Sequence, residues 1–425
     1  MVTSLEYQSR APTTRLSPLR WLMVSMAFLA TLINYLDRQT LSVVADDLCR
    51  AFGMNNEKYG LMISAFMLAY TISNGLSGPL IDRVGTRLGY ALCMFVWSTA
   101  GILHFFAAGP ISLGACRFML GAGEAGNWPA GVKVVSEWFP SRERALASGI
   151  FNSGAALGAV IAPPTIVVLA LRYGWRSAFL VIGALGYLWL ILWLAIYRTP
   201  ANVQREVRAR PAAPWSLLRT RFLASFTLSK VFMDPVWYFY IFFFPKYLSD
   251  VHHFDLKKVG YVGWIPFLTA AAGNFLGGWV AGLLISRGVS ISRARKMSVS
   301  MFALLMTSAI PAAFTSNVWV AIGLISTATL GYTGYLANAL AFPAEVFPKN
   351  MVGSIWGLAS MGSGFGGMLF GWISGRVIDH LGYVPVFIGY GVMPVISLGC
   401  ILLWMGELKP DARFANSGAL ETFRA

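Results

Sequence analysis

The chain has 425 residues, of which 56% are hydrophobic and 12% charged, whereas about a quarter of the residues in a soluble protein are charged. That deficit excludes an ordinary water-facing globular domain. A formal net charge of +15 would suit a nucleic-acid binder if the cations formed one patch, but they gather at segment boundaries, so no nucleic-acid partner is expected.

Apolar runs of about 20 residues, each able to cross roughly 30 Å of hydrocarbon, recur over 21–45, 58–81, 88–108, 111–134, 144–171, 176–197, 221–249, 258–286, 294–314, 317–343, 351–378 and 383–406. The expected fold is all-α and integral to a lipid bilayer, with twelve transmembrane helices in two pseudo-symmetric six-helix bundles. The first run is read as a span, because it is longer than a signal-peptide core, carries two charges and lacks a small-residue cleavage site.

Span one contains LINYLDRQTLSVV, with adjacent charges at Asp37 and Arg38. Asp37 lies about 16 residues, roughly 24 Å, into the span. Span four carries Arg117 and Glu124; seven residues apart, they share a helix face within about 20° and are separated by about 10.5 Å along the axis. The two helices can bring Asp37, Arg38, Arg117 and Glu124 together near the midplane. A charge at a helix centre costs roughly 2.5 to 3.5 kcal/mol on insertion, so these residues are the leading candidates for function. Two arginines suit capture of a carboxylate, and two carboxylates offer proton-binding positions. The same residues could also form a charge network that only holds helices together.

The connection RTPANVQREVRARPAAPWSLLRT is the longest and most polar, and it divides the spans six and six. The expected organisation is a bundle over 1–197, a linker over 198–220 and a second bundle over 221–425. Internal echoes agree: Asn74, Leu76 and Gly78 recur as Asn274, Leu276 and Gly278, and EWFP at 137–140 recurs as EVFP at 345–348. Such duplication favours a transporter whose halves rock about a midplane site. In span seven, Lys230 and Asp234 are spaced to pair with each other. His252 and His253 fall in the following loop, where no further ligands complete a metal site.

About 22 Lys and Arg fall on one side of the spans, including Arg83, Arg87, Arg142, Arg144, Arg293 and Arg295, and about eight on the other. The positive-inside rule then places both termini in the cytoplasm. Cys49, Cys93, Cys116 and Cys400 are isolated and read as small apolar fillers. No GxSxG, HExxH or Walker pattern occurs, so neither a membrane hydrolase nor an ATP-driven pump is supported and no cofactor is expected.

The stretch GPLIDRVGTR at 78–87 resembles the loop signature of the major facilitator superfamily between its second and third helices. RFMLGAGEAGNWP at 117–129, EWFP, ERA at 143–145 and NYLDR at 34–38 are similar to the superfamily's anion:cation symporter branch, which carries organic anions with protons. DPVWYFY at 234–240 and PKYL at 245–248 resemble the hexuronate transporters within it. The resemblance implies that Asp37 and Glu124 are the protonatable pair with Arg117 tied to them, and that Arg38 contacts the substrate carboxylate beside Tyr35 and Tyr70. It also implies that Asn152, Tyr238, Asn338 and Ser360 contact hydroxyls. Asp82, with Arg83 and Arg87, would gate by setting an acid against a helix end in the other half. The equivalent loop of the second half, LLISRGVSISRARK, lacks that acid. Related carriers of aldonates and aldarates place Gln and Asn near Ala155 and Gly364.

The resulting expectation is a secondary transporter, not an enzyme, that imports a sugar acid, foremost a hexuronate, with protons as the coupling ion. It is expected to act as a monomer on a small organic anion. Exchange of another anion (aldonate, aldarate, dicarboxylate or phosphorylated) is the alternative. A nontransporting sensor would need a large output domain, and the tails are short. With no Asn-x-Ser/Thr sequon, a bacterial inner membrane is favoured.

Overall fold

The computed structural model describes residues 18–199, 220–347 and 349–409. Positions 200–219 of the expected linker and the tails at 1–17 and 410–425 lie outside the described residues. Elsewhere the apolar runs are helical, because only a helix satisfies every backbone polar group of a single crossing within the segment itself.

In chain order the helices are α1 (Leu19–Val43), α2 (Ala45–Phe52), α3 (Asn56–Val84), α4 (Thr86–Phe105), α5 (Pro110–Glu124), α6 (Asn127–Trp138), α7 (Ser141–Tyr173) and α8 (Trp175–Ile196). They continue with α9 (Arg221–His252), α10 (Leu256–Val262), α11 (Ile265–Ser286), α12 (Ile291–Leu305), α13 (Ala309–Ala312), α14 (Val318–Ala339), α15 (Phe342–Val346), α16 (Lys349–Leu381) and α17 (Tyr383–Gly399). Among the described residues, eight helical segments are long and apolar enough to cross a membrane. The other four expected spans are helical too, but depart from that profile. The fourth is broken between α5 and α6, the seventh carries Lys230, Asp234 and Lys246, the ninth passes through a 3-10 turn at Met306–Ser308, and the eleventh is rich in Gly, Ser and charged ends.

Helices α1 to α8 pack mainly with one another through the pairs α1 with α7, α4 with α8 and α3 with α5, and α9 to α17 do the same through α11 with α14, α9 with α16 and α12 with α14. The two sets meet along α3 and α16, α1 and α9, and α7 with α10 and α11. Corresponding acids tie corresponding places. Glu137 accepts from Thr86 and Tyr197, and its echo Glu345 pairs with Arg295 at 3.5 Å.

The halves join firmly at the face bearing the 53–55 and 253–255 turns. Asp379 of α16 accepts from the backbone nitrogens of Asn56 and Glu57 at 3.0 and 2.7 Å, so it caps α3 from the other half. Lys246 reaches Asp46 at 3.5 Å and Asp250 at 2.9 Å, while Tyr59 donates to the Phe242 carbonyl at 2.7 Å. Toward the opposite, Arg-rich face the contact ends near Thr71 and Gly364. On the same helix faces, Gly75, Gly78 and Gly357 have nothing within 4 Å of a Cβ position. The chain is therefore closed at the 53–55 face and open toward the basic face.

Candidate functional site

The four expected charges converge where α1, α4 and α5 meet beneath the closed face. Asp37, Arg38, Arg117 and Glu124 are all buried. Beside the cluster, α5 lies tight against α4: a Cβ on Gly123 would stand 2.6 Å from the Trp97 backbone nitrogen. The fourth span is not one continuous helix. It stops at Glu124, turns through Ala125 and Gly126, and restarts at Asn127, whose side chain accepts from Tyr90 at 2.6 Å.

Within this cluster, Arg38 donates through Nε to Glu124 Oε2 at 2.6 Å. Its guanidinium lies 4.6 Å from the Tyr70 ring centre, 5.4 Å from Phe66 and 5.5 Å from Tyr35, an aromatic collar that favours a cation. One terminal nitrogen of Arg38 has no hydrogen-bond partner, nor has Glu124 Oε1. Arg117 sits over Phe66 at 4.6 Å, and none of its three guanidinium nitrogens is hydrogen-bonded. Asp37 faces α4 and α8, with Oδ1 3.3 Å from the position of a Gly101 Cβ. The expected tie from Arg117 to the carboxylates is thus not a direct bond; Glu124 bonds to Arg38, and Arg117 acts on both acids only through space.

From the second half, Tyr238 of α9 approaches within electrostatic range of Arg38. Its hydroxyl meets Ser363, at 3.1 Å. Ser360, expected to contact hydroxyls, lies one turn closer to the basic face and has no hydrogen bond to Tyr238 among the described residues. Asn338, also expected to contact hydroxyls, is buried and bonded within its own half. Its amide nitrogen donates to Gly277 O, Ser298 Oγ and Gly334 O, and its oxygen accepts from Arg295, so it fastens α14 to α11 and α12. Asn152 is exposed on the α7 face that carries Pro163, about 16 Å nearer the basic face; it borders the open vestibule below the charged cluster. Asp82 pairs with Lys133 of its own half at 2.7 Å and has no ion pair to the other half among the described residues. Arg83 is exposed, and Arg87 donates to the Leu194 carbonyl.

Sequence reasoning missed three polar groups. Asn34 is fully buried beside Glu124. Ser363, the partner of the Tyr238 hydroxyl, was not singled out. His104 is buried, with Nδ1 2.6 Å from the Ala100 carbonyl and its ring stacked on Phe179. Its being the one histidine within an apolar run was the available signal.

The sequence model described as Major Facilitator Superfamily matches residues 27–355. The chain belongs to the Major Facilitator Superfamily. Among superfamily relatives, a hexuronate transporter of Escherichia coli (strain K12) is 30% identical over 92% of this chain and 94% of its own. A probable galactarate/D-glucarate transporter of Bacillus subtilis (strain 168) is also 30% identical, covering 95% and 96%. Two solved structures share the fold. A bacterial homologue of the human lysosomal transporter Spinster, inward-facing and occupied, has a TM-score of 0.75 at 20% identity, covering 91% of this chain and 97% of the other. A D-xylose-proton symporter has a TM-score of 0.75 at 15% identity, covering 92% and 98%. As a superfamily member this chain is an integral membrane transporter.

Proposed function

We propose that this transporter imports a sugar acid, foremost a hexuronate, together with protons. Arg38 carries the reading. It is a buried guanidinium at the seam of the halves, collared by Tyr35, Tyr70 and Phe66, with one nitrogen free and Glu124 as its only ion-pair partner among the described residues. A carboxylate arriving there competes with Glu124 for Arg38, and protonation of Glu124 removes that competitor. Anion and proton then favour each other's binding, which is the condition for symport. Relatives described as hexuronate and galactarate/D-glucarate transporters support the substrate class. The positive-inside rule supports a cytoplasmic basic face, both termini inside, in a bacterial inner membrane. The segment at 198–220 would join rocking halves of a monomer.

One monoanion carried with one proton moves no net charge; with two protons, one positive charge moves inward. Asp37 is the second proton position, with Arg117 setting the field that both acids feel. In proteoliposomes, labelled glucuronate uptake should rise with an inward proton gradient, and Glu124→Gln should lose that dependence while still exchanging labelled for unlabelled substrate. Gradient-driven uptake preserved in Glu124→Gln refutes the coupling role. The aldarate relative supports a second reading, transport or exchange of another organic anion, and competition by unlabelled aldonates, aldarates, dicarboxylates and phosphorylated anions separates the two.

A further inference from the structure

Below the Arg38 site, α9 carries a second buried ion pair. Lys230 Nζ lies 2.7 Å from Asp234 Oδ2, and both side chains are about 95% shielded, at 6% and 5% exposure. A pair on consecutive turns of one helix could be wholly structural. Its surroundings point elsewhere. Tyr332 of α14 donates to Asp234 Oδ1 at 3.2 Å, Trp237 stacks on Tyr332 at 5.1 Å, and Lys230 Nζ lies 4.4 Å from the Trp356 ring centre.

The pair is aligned with Arg38. Trp237 meets Tyr35 across the halves, and Tyr238 lies within electrostatic range of both Arg38 and Asp234. Helices α1 and α9 run in the same direction. With Tyr35 and Trp237 level, Asp234 lies about 9 Å from Arg38 along the axis, toward the open basic face. A ligand whose carboxylate sits at Arg38 and whose body points into the vestibule reaches Asp234 with its far end.

We propose that Lys230, Asp234 and Tyr332 form a hydroxyl-reading subsite in the second half for the distal end of a polyhydroxylated monocarboxylate. The inference rests on the sugar-acid reading and adds what its non-carboxylate end meets. A carboxylate offers about four acceptor positions and an ammonium three donors, so the pair with Tyr332 retains capacity for groups that both give and accept a proton. Hydroxyls meet that requirement. A second carboxylate does not, since it only accepts and would lie beside the Asp234 carboxylate, where like charges in a buried site repel. With the acid end on the first half and the hydroxyl end on the second, only a full-length ligand bridges the two halves.

The test is equilibrium binding of glucuronate and of glycerate, a short monocarboxylate whose hydroxyls stay beside its acid group, to purified full-length protein. The key variant is Lys230→Met with Asp234→Leu, which replaces the pair without leaving a lone charge. Glucuronate should weaken about tenfold and glycerate change by less than about twofold, with the melting temperature kept. Glucuronate affinity held within about twofold, or equal loss of both ligands, overturns the subsite. If the double variant is not recovered, Tyr332→Phe carries the same prediction of direction, glucuronate weakened and glycerate unchanged, and an unchanged glucuronate affinity there refutes it. A wild-type protein that binds other anions through Arg38 but not glucuronate refutes the sugar-acid reading, and the subsite falls with it.

Discussion

Arg38 makes two kinds of contact at once: its Nε bonds Glu124 while the plane of the guanidinium lies among three aromatic rings. A lysine ammonium, a compact point charge, cannot reproduce both. Arg38→Lys is expected to lose at least about tenfold in anion affinity while melting normally in detergent; calorimetric titration reads it, and unchanged affinity would show that charge alone suffices. Asn338→Ala should do the reverse. With Ser298, Arg295 and two carbonyls deprived of their shared partner, stability should fall by about 1–3 kcal/mol, seen as a lower melting temperature with affinity unchanged. The four deep charges were legible in the sequence because an ionised group in hydrocarbon is costly enough to need a reason. The bonding partners of Asn338 and Tyr238 were not. Amides and hydroxyls cost less to bury and find partners locally, so residue type alone does not say which face of a helix they occupy.

At the scale of helices, the twelve runs were readable from hydropathy, but interruptions within them were not. Residues 111–134 read as one span. The break follows Glu124, the last residue of α5, next to the close approach of Gly123 to the α4 backbone at Trp97. Gly123→Val would force α4 and α5 apart, an overpacking cost of about 1–3 kcal/mol. Its melting temperature should drop, whereas Gly149→Val, where an added Cβ meets nothing within 4 Å, should melt like the wild type. Equal melting of both variants would mean that the α4–α5 seam can yield.

For the whole molecule, the duplicated EWFP and EVFP segments anticipated the matching Glu137 and Glu345 ties, yet no sequence signal revealed which face would be closed. That depends on groups far apart in the chain, Asp379 with Asn56 and Glu57, and Lys246 with Asp46. Asp379→Ala should tip the equilibrium toward opening at that face. Cys49, buried beside Lys246 and Asp46, is a native reporter. Its labelling by a membrane-impermeant maleimide should quicken about tenfold for a shift of ~1.4 kcal/mol, with Cys49→Ser as background. An unchanged rate would show that Asp379 does not hold the face shut.

The cap that Asp379 places on α3 also gives the protein a built-in clock. The amide protons of Asn56 and Glu57 are covered only while the two halves touch, so each opening of that face bares them to water. Their deuterium uptake, read from a single peptide, should count the excursions of the unlabelled, unmutated carrier, and substrate that holds the halves together at that end should slow it.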